Sequence, residues 1–421
     1  MVSDLRSWVH PRFGYRGFAL LILSSALITG GVPTLHAQQN STPAGPGPVF
    51  RRVATYSTEG LFSDSVGVGD FNGDGKLDLV VTNQCTGILP GFCENGFATV
   101  TARLGNGNGT FGRAVNSLAG NGLAFSMVVG DFNHDGKPDL GVASLCVNDF
   151  VTGLIGEVHG FVGNGDGTFD SFYAWPTAGP CPYSVTIGDF NLDGNLDLAV
   201  TYFCTGNDSV PCTDGLVGVF LGLGNGNFQD PAFYPSGGPP RSIRVGDFNG
   251  DGNPDLAIGD GFFGGPETVG VLSGNGDGTF QMAAPFAFSV DFVVADFNGD
   301  GRSDLVGASG NNLALLLGNE DGSFQPAITI NATPGALAAA DFNGDGKLDL
   351  AVLGPDGITV LLGNGHGEFH AFRGGDGMGG TLAVAVGDFN NDGKPDLAVD
   401  DGSRVTVLLN VYRSFRHETR D

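Results

Sequence analysis

The stretch DFNGDGKLDLVV, residues 70–81, decides how this chain is interpreted. It joins an acidic, glycine-centred loop to a short apolar run typical of a β-strand. The pattern D-F-N-x-D-G-x-x-D-L occurs seven times, beginning at Asp70, Asp131, Asp189, Asp247, Asp296, Asp341 and Asp388. The intervals run from 45 residues (Asp296 to Asp341) to 61 residues (Asp70 to Asp131). Each interval is long enough for one four-stranded sheet with loops of varying length.

A second phrase, G-N-G-x-G-x-F in most copies, lies between the acidic loops. It occurs six times and ends at Phe111, Phe169, Phe228, Phe280, Phe324 and Phe369. The missing seventh copy is divided between the chain ends. Phe50 lies 20 residues before Asp70, as Phe111 lies before Asp131, and residues 405–409 form the strand that normally precedes this turn. The N-terminal strand therefore completes the last sheet, which requires a closed ring.

These observations predict an all-β fold, a seven-bladed β-propeller over residues 50–410 with four antiparallel strands per blade. Pairing of the N-terminal strand with the C-terminal strands closes it. The 73 glycines and 22 prolines separate short apolar runs, as expected for strands and turns. We name the strands of a blade A to D from the central axis outwards. Acidic loops then join A to B, and glycine-rich turns join C to D.

The repeated loops and turns together resemble the FG-GAP/VCBS repeats of the integrin α-chain N-terminal propeller and of many exported bacterial proteins. The resemblance covers residues 50–410. It implies a calcium-binding propeller that binds partners. Two features depart from integrins: the third loop position is Asn where integrin loops often have Asp, and all seven blades keep the loop. Ligand positions of the family lie in loops with no matching motif here, so none is assigned by the resemblance.

The spacing of oxygen-bearing side chains in each loop predicts a structural Ca²⁺ site. Calcium takes six to eight oxygen ligands, and side chains at positions 1, 3, 5 and 9 with the carbonyl of position 7 can supply them around a glycine at position 6. We expect up to seven ions. The ligands in blades 1 to 7 are Asp70, Asn72, Asp74, Lys76 and Asp78; Asp131, Asn133, Asp135, Lys137 and Asp139; Asp189, Asn191, Asp193, Asn195 and Asp197; Asp247, Asn249, Asp251, Asn253 and Asp255; Asp296, Asn298, Asp300, Arg302 and Asp304; Asp341, Asn343, Asp345, Lys347 and Asp349; Asp388, Asn390, Asp392, Lys394 and Asp396. The alternative is a set of solvated Asx turns without metal.

The N-terminus has the layout of a secretory signal peptide over residues 1–37, with arginines, an apolar run at 18–28 and a small residue at Ala37. Residues 38–49 are expected to form a flexible leader and residues 411–421 a C-terminal tail. The apolar run is too short for a permanent membrane span, so we expect a secreted monomer without stable membrane insertion, periplasmic or extracellular. The net charge of -26 argues against nucleic acid as a partner.

Six cysteines in an exported chain suggest disulfides, for which fifteen pairings are possible. Position favours three of them, Cys85 with Cys93, Cys146 with Cys181, and Cys204 with Cys212. The first and third close local loops within B–C connections. Free thiols or metal ligation remain the alternative.

The B–C connections are long in blades 1 to 3, moderate in blade 4 and short in blades 5 to 7. They share one face, here called the upper face, with the D–A connections, whereas the acidic loops lie on the opposite, lower face. The sequence therefore predicts a non-catalytic binding or adhesion module that recognises a glycan or protein through upper-face loops of blades 1 to 4. Aromatic residues there either contact that ligand or cover the core: Phe150, Tyr173, Trp175, Tyr183, Tyr202 and Phe203.

Two other functions stay open. A polysaccharide lyase or hydrolase would need a carboxylate pair, for which Asp149, Asp208 and Asp214 are candidates. No catalytic signature such as G-x-S-x-G or H-E-x-x-H is present. A purely structural surface protein is the third reading. We therefore predict no catalytic residues and no cofactor besides calcium.

Overall fold

The structure, a computed structural model, describes residues 47–85, 97–121, 123–149, 153–175, 181–202, 215–261, 267–282, 285–289, 291–354, 356–376 and 380–411. The predicted signal peptide lies outside these ranges, as do most of the leader and tail. Within them the chain is all-β and contains no helix. Accordingly, no helix among these residues is long and apolar enough to cross a membrane.

The strands form seven separate sheets. Blades 1 to 3 contain, in order, β2 (Leu61–Gly69), β3 (Asp78–Cys85), β4 (Phe97–Gly105) and β5 (Phe111–Asn121); β6 (Leu123–Gly130), β7 (Asp139–Asp149), β8 (Gly153–Gly163) and β9 (Phe169–Trp175); β10 (Pro182–Gly188), β11 (Asp197–Tyr202), β12 (Leu216–Phe220) and β13 (Ala232–Pro235).

Blades 4 to 6 contain β14 (Pro240–Gly246), β15 (Asp255–Asp260), β16 (Thr268–Gly274), β17 (Phe280–Met282) and β18 (Phe286–Ala287); β19 (Phe292–Ala295), β20 (Asp304–Ser309), β21 (Asn312–Leu316) and β22 (Ile328–Ile330); β23 (Ala336–Ala340), β24 (Asp349–Gly354), β25 (Gly357–Gly363) and β26 (Phe369–Gly375). Blade 7 contains β27 (Ala383–Gly387), β28 (Asp396–Asp400), β29 (Arg404–Asn410) and β1 (Phe50–Ser57). All pairings are antiparallel, as predicted. In blade 4 the outer strand is split, because both β17 and β18 pair with β16.

The first strands of the blades contact one another in a closed cycle, β2, β6, β10, β14, β19, β23, β27 and back to β2. They therefore form the inner ring of a seven-bladed β-propeller. Closure is the predicted one: β1 pairs with β29 from Phe50 opposite Asn410 to Ser57 opposite Arg404. The chain ends thus complete the last blade.

The hydrophobic core lies between blades. Each acidic loop carries a Phe at position 2 that meets the turn Phe of the next blade edge to face, with centroids 5.4 to 5.9 Å apart. For blade 6 the partner of Phe342 is Phe50, at 5.4 Å, so Phe50 occupies the place of the missing seventh turn Phe. Such aromatic pairs add about 0.5–1.5 kcal/mol each beyond their buried area. No blade buries its apolar faces alone.

Candidate functional site

The seven acidic loops share one backbone conformation, set by their own side chains. In blade 1, Asp70 accepts hydrogen bonds from the N–H groups of Asp74 (3.1 Å) and Gly75 (2.8 Å). Asn72 also accepts from Asp74 N–H (3.0 Å), and Asp74 accepts from Lys76 N–H (3.0 Å). The other six loops repeat this set. Positions 3 and 5 are therefore consecutive Asx turns.

Two positions of every loop have a left-handed backbone. Position 6 is glycine in all copies, with φ from 78° at Gly75 to 87° at Gly194, which bears out its predicted turn role. Position 4, which the sequence shows only as variable, also has positive φ. Glycine occupies it in four blades, and His134, Leu192 and Asn391 adopt φ of 57° in the other three. The left-handed conformation costs those three residues free energy, because their Cβ atoms crowd the backbone, whereas glycine has no Cβ atom.

The aspartate at position 9 is buried and holds the loop to the end of strand C. Asp78 is 0% exposed and accepts from the N–H of Phe71 (2.8 Å) through Oδ2 and from the N–H of Gly105 (2.7 Å) through Oδ1. The other blades repeat both bonds, at 2.7 to 3.1 Å. These two hydrogen bonds explain why position 9 is an aspartate in every blade without requiring a metal ion.

Burial raises the pKa of these aspartates, although the two amide hydrogen bonds act in the opposite direction. The pKa rises to about 6 for Asp255, about 7 for Asp396 and about 8 for Asp304. Carboxylates of the neighbouring loop positions contribute to the increase. Each blade therefore buries one carboxyl group whose charge is costly.

The loops place some of the predicted oxygen ligands where a hard cation could bind them, whereas others are directed elsewhere. Positions 1 and 3 direct oxygens to a single N–H donor in every loop, so these oxygens lie close together on a solvent-accessible side. Position 9 directs both oxygens to amides. Within the described ranges, no group of three or more His, Cys, Asp or Glu side chains is placed to hold a metal ion. The oxygen donors suit calcium, and the predicted ligand set at positions 1, 3, 5, 7 and 9 stays a prediction.

A basic residue at position 7 contacts the position 5 carboxylate in several blades. Lys76 Nζ lies 2.8 Å from Asp74 Oδ2, and Lys394 Nζ lies 2.7 Å from Asp392 Oδ2. Arg302 contacts Asp300 in the same way. In blades 3 and 4 position 7 is Asn195 and Asn253, so those loops lack this basic side chain.

Several predicted upper-face residues fall where no side chain is described. Phe150, Phe203, Asp208 and Asp214 lie outside the described residues, and Asp149, Tyr173 and Trp175 have described backbone only. Tyr202 is 0% exposed and packs near Phe233, with centroids 6.0 Å apart, so it belongs to the core. Of the two predicted roles, contact with a ligand or cover for the core, Tyr202 has the second.

Among the cysteines only the side chain of Cys181 is described. It is buried and is not a free thiol. The other cysteines, Cys85, Cys93, Cys146, Cys204 and Cys212, lie outside the described residues or have described backbone only. The three pairings stay predictions.

Sequence reasoning missed a set of four bulges in the inner strands of blades 1 to 4. The pairing of strand A with strand B shifts by one residue at Asp64, Phe125, Tyr183 and Arg241. Each lies six residues before the first loop aspartate, near the upper end of its strand. In blades 5 to 7 the first strands begin beyond this position and pair without a shift. We call these four residues the bulge arc.

Members of the bulge arc lie close to each other. The rings of Phe125 and Tyr183 stack, with centroids 5.1 Å apart and planes at 25°. Arg241 is hydrogen-bonded to Tyr183, and burial raises the pKa of that phenol to about 12. Aligning the repeats at this position would have found the arc, because blades 1 to 4 carry Asp, Phe, Tyr and Arg where blades 5 to 7 carry Val290, Gly335 and Leu382.

Two further carboxylates are buried at the upper ends of second strands. Asp260 is 3% exposed, and neither of its carboxylate oxygens has a hydrogen-bond partner. Asp400 is 0% exposed and accepts a hydrogen bond from the hydroxyl of Ser63 at 2.7 Å, across the closure between blades 7 and 1. Burial raises the pKa of both to about 7.

A ring of seven four-stranded blades with an acidic loop in each defines a repeat-built β-propeller. The family model of the FG-GAP-like repeat matches residues 70–142, 203–258, 296–352 and 341–399, and that of the FG-GAP repeat matches 239–279. The chain belongs to the FG-GAP repeat family. This confirms the resemblance found in the sequence.

Solved structures share the fold at low sequence identity. A lectin from Agrocybe aegerita, described as recognising non-reducing terminal N-acetylglucosamine, is 18% identical, with a TM-score of 0.55 and coverage of 87% of this chain and 96% of that chain. BBS1N, in complex with ARL6DN, is 10% identical, with a TM-score of 0.54 and coverage of 87% and 98%. No curated protein matches the sequence. These likenesses concern the fold.

Proposed function

We propose that this protein is an exported, calcium-stabilised propeller that binds a glycan or a protein without transforming it, through the upper face of blades 1 to 4. The observation that carries the proposal is the asymmetry of that face. Bulges occur at one register in blades 1 to 4, the blades in which strand C begins furthest after the position 9 aspartate, on a ring whose lower face is uniform. The long B–C connection predicted for blade 2 is shorter in the structure, because β7 and β8 extend until only residues 150–152 lie between them. Bulges commonly redirect side chains beside functional sites.

The fold comparison favours binding over catalysis. The Agrocybe aegerita lectin, which shares this fold, is described as recognising a sugar, and the FG-GAP family match adds no catalytic motif. Fold alone does not decide function. The polysaccharide-active alternative is therefore an outcome that the experiment below must be able to detect.

Calcium in this proposal has a structural role. The residues that would hold it are those at loop positions 1, 3 and 5 with the position 7 carbonyl, and position 9 supports the loop from beneath. Bound calcium would neutralise carboxylates that face one another on the lower face. The loops' own residues already order the turn through Asx hydrogen bonds, so we expect the metal to add stability to a conformation the chain adopts by itself.

The metal proposal is tested by titrating the metal-free protein with CaCl₂ in a calorimeter and by melting it with millimolar calcium or with EGTA. We expect binding at about 10⁻⁴ to 10⁻³ M, the range of extracellular modules, and a higher melting temperature with calcium. MgCl₂ at equal ionic strength is the control. Identical melts in calcium and EGTA would refute structural calcium.

The binding proposal is tested with the mature protein on a glycan array and in pull-downs, beside assays for polysaccharide cleavage. We expect saturable binding of one ligand class and no turnover. Turnover that depends on Asp208 or Asp214 would establish the enzyme reading instead. A folded protein that binds nothing in either screen would contradict the binding proposal.

A further inference from the structure

We propose that the ligand of the upper face is a neutral sugar ring, held at the upper ends of the first strands of blades 1 to 4 by the bulge arc of Asp64, Phe125, Tyr183 and Arg241. This inference rests on the proposed binding function and names its site and ligand class. Of the aromatic candidates predicted from the sequence, Tyr183 belongs to the arc, and the others, such as Trp175, are not part of it.

The arc occupies one shared space, because its members come from adjacent blades of the inner ring. β2, β6, β10 and β14 contact each other in that order. The charge of Asp64 in blade 1 acts on the phenol of Tyr183 in blade 3, as does that of Asp291 in blade 5. These side chains therefore face the same region although they are far apart in sequence. A bulge leaves one residue out of the ladder, and that is how each strand A presents an additional side chain here.

The bulges distinguish blades 1 to 4 from the rest of the ring. In blades 5 to 7 the first strands begin after this register, so they place no paired residue of strand A there. Four bulges at one register in adjacent blades therefore give the upper end of this part of the inner ring a shape that blades 5 to 7 do not share. Local backbone irregularities of this kind are typical of ligand sites.

The chemistry of the arc suits a sugar. The stacked rings of Phe125 and Tyr183 offer an aromatic surface to the C–H face of a pyranose. Asp64, 9% exposed, accepts a hydrogen bond from the side-chain amide of Gln84 through Oδ2. Its other oxygen can accept from a sugar hydroxyl group, and the guanidinium of Arg241 can donate to one. Sugar hydroxyls both donate and accept, so one ring can satisfy the two ends of the arc.

The charges around the arc indicate a neutral sugar. Burial raises the pKa of Asp291, the charges of Arg241 and Arg244 lower it, and the charge of Glu267 raises it further. Burial also raises the pKa of Asp64 to about 7. Two guanidinium groups and three carboxyl groups therefore share this region, so charges of both signs lie around the arc. A uronic acid would be repelled by the carboxylates, and a cationic group would be repelled by the guanidinium groups. For a ligand of either charge, this repulsion offsets the attraction to the groups of opposite charge.

The test measures binding of the intact protein to immobilised neutral oligosaccharides, built from glucose, galactose, mannose or N-acetylglucosamine, and to glucuronic acid oligosaccharides. Three arc variants are compared, Phe125→Leu, Arg241→Gln and Asp64→Asn. The matched control is Phe233→Leu, which truncates a 36% exposed aromatic on the outer strand β13. Unchanged melting temperatures identify the variants that remain folded.

We expect a neutral oligosaccharide to bind the native protein and the control equally, and each folded arc variant to bind about tenfold more weakly. Sugar binding that all three arc variants retain would refute the arc while leaving the proposed function intact. Preference for the glucuronic acid series would refute the neutral ligand. Binding of a protein partner alone would refute the sugar, and a native protein that binds neither class would overturn the proposed function itself.

Discussion

Replacing the position 9 aspartate of blade 4 separates its structural role from calcium binding. Asp255 is 0% exposed and accepts hydrogen bonds from the N–H groups of Phe248 (2.9 Å) and Gly274 (2.8 Å). Asp255→Ala leaves both donors buried without an acceptor. Asp255→Asn keeps one acceptor and turns an NH₂ group toward the other donor. Blade 4 is the suitable blade because Asn253 at position 7 adds no charge.

The magnitude follows from the number of orphaned donors. A buried N–H without a partner costs about 1–3 kcal/mol, so Asp255→Ala loses about 2–6 kcal/mol and Asp255→Asn about half of that. Burial raises the pKa of Asp255 to about 6, so the ionised carboxylate has a desolvation cost of its own that both variants remove. We therefore expect about 2–3 kcal/mol for Asp255→Ala and about 1 kcal/mol for Asp255→Asn at pH 7.5.

The assay is urea unfolding in EGTA, combined with hydrogen exchange of the Phe248 and Gly274 amides. Both amides should exchange faster in Asp255→Ala. The matched control is Asp251→Asn, at exposed position 5 of the same loop, which should change stability in EGTA by less than about 0.5 kcal/mol. With calcium the control should lose part of the added stability. If Asp255→Ala is neutral in EGTA and destabilising only with calcium, the structural role of the two amide hydrogen bonds is refuted and position 9 acts as a metal ligand.

Three further predictions concern other parts of the ring. Leu192→Gly should raise the free energy of unfolding by about 1 kcal/mol in urea titrations, because Leu192 is exposed at φ of 57°, whereas Leu192→Ala should give no gain. Phe50→Ala should cost about 3–5 kcal/mol, because it removes the ring that packs on Phe342 where the propeller closes; a loss below 1 kcal/mol would contradict the closure. Burial raises the pKa of Asp260 from 3.8 to about 7, so its proton stabilises the fold below about pH 4 and this contribution is lost as pH rises through 7. Asp260→Asn should therefore flatten the decline in melting temperature between pH 5 and pH 8, and an unchanged slope would contradict the assignment.

Ring architecture was predictable because repetition makes spacing informative. The distance from Phe50 to Asp70 matched that from Phe111 to Asp131, and the structure places Phe50 against Phe342 as a turn Phe. Position 4 shows the limit of such reasoning. A variable residue gives no sign of its φ, so the left-handed conformation of Leu192 became visible only with the backbone.

The bulge arc was hidden for a related reason. A bulge is a mismatch between two strands. The sequence placed Tyr183 on the upper face, but its bulge became visible only when Pro182 and Ser184 were seen opposite Tyr202 and Thr201. Once the repeats are aligned on their loop aspartates, the polar and aromatic residues of blades 1 to 4 separate from the small and aliphatic ones of blades 5 to 7. That contrast is a sequence signal, but it acquires meaning only when the strand pairing is known.

Position 9 shows why a pattern of aspartates does not by itself identify a metal site. A carboxylate that binds calcium and one that accepts two amide hydrogens present the same oxygens and read the same in sequence. In every blade of this ring the position 9 carboxylate accepts two amide hydrogen bonds, and in blade 1 one of them is donated to Asp78 by the N–H of Gly105, 27 residues further along the chain. The surface carboxylates at positions 1 and 5 have no such buried partner, and their role depends on whether calcium is present in the solution. Stability in EGTA should therefore depend on position 9, and the increment from calcium on positions 1 and 5.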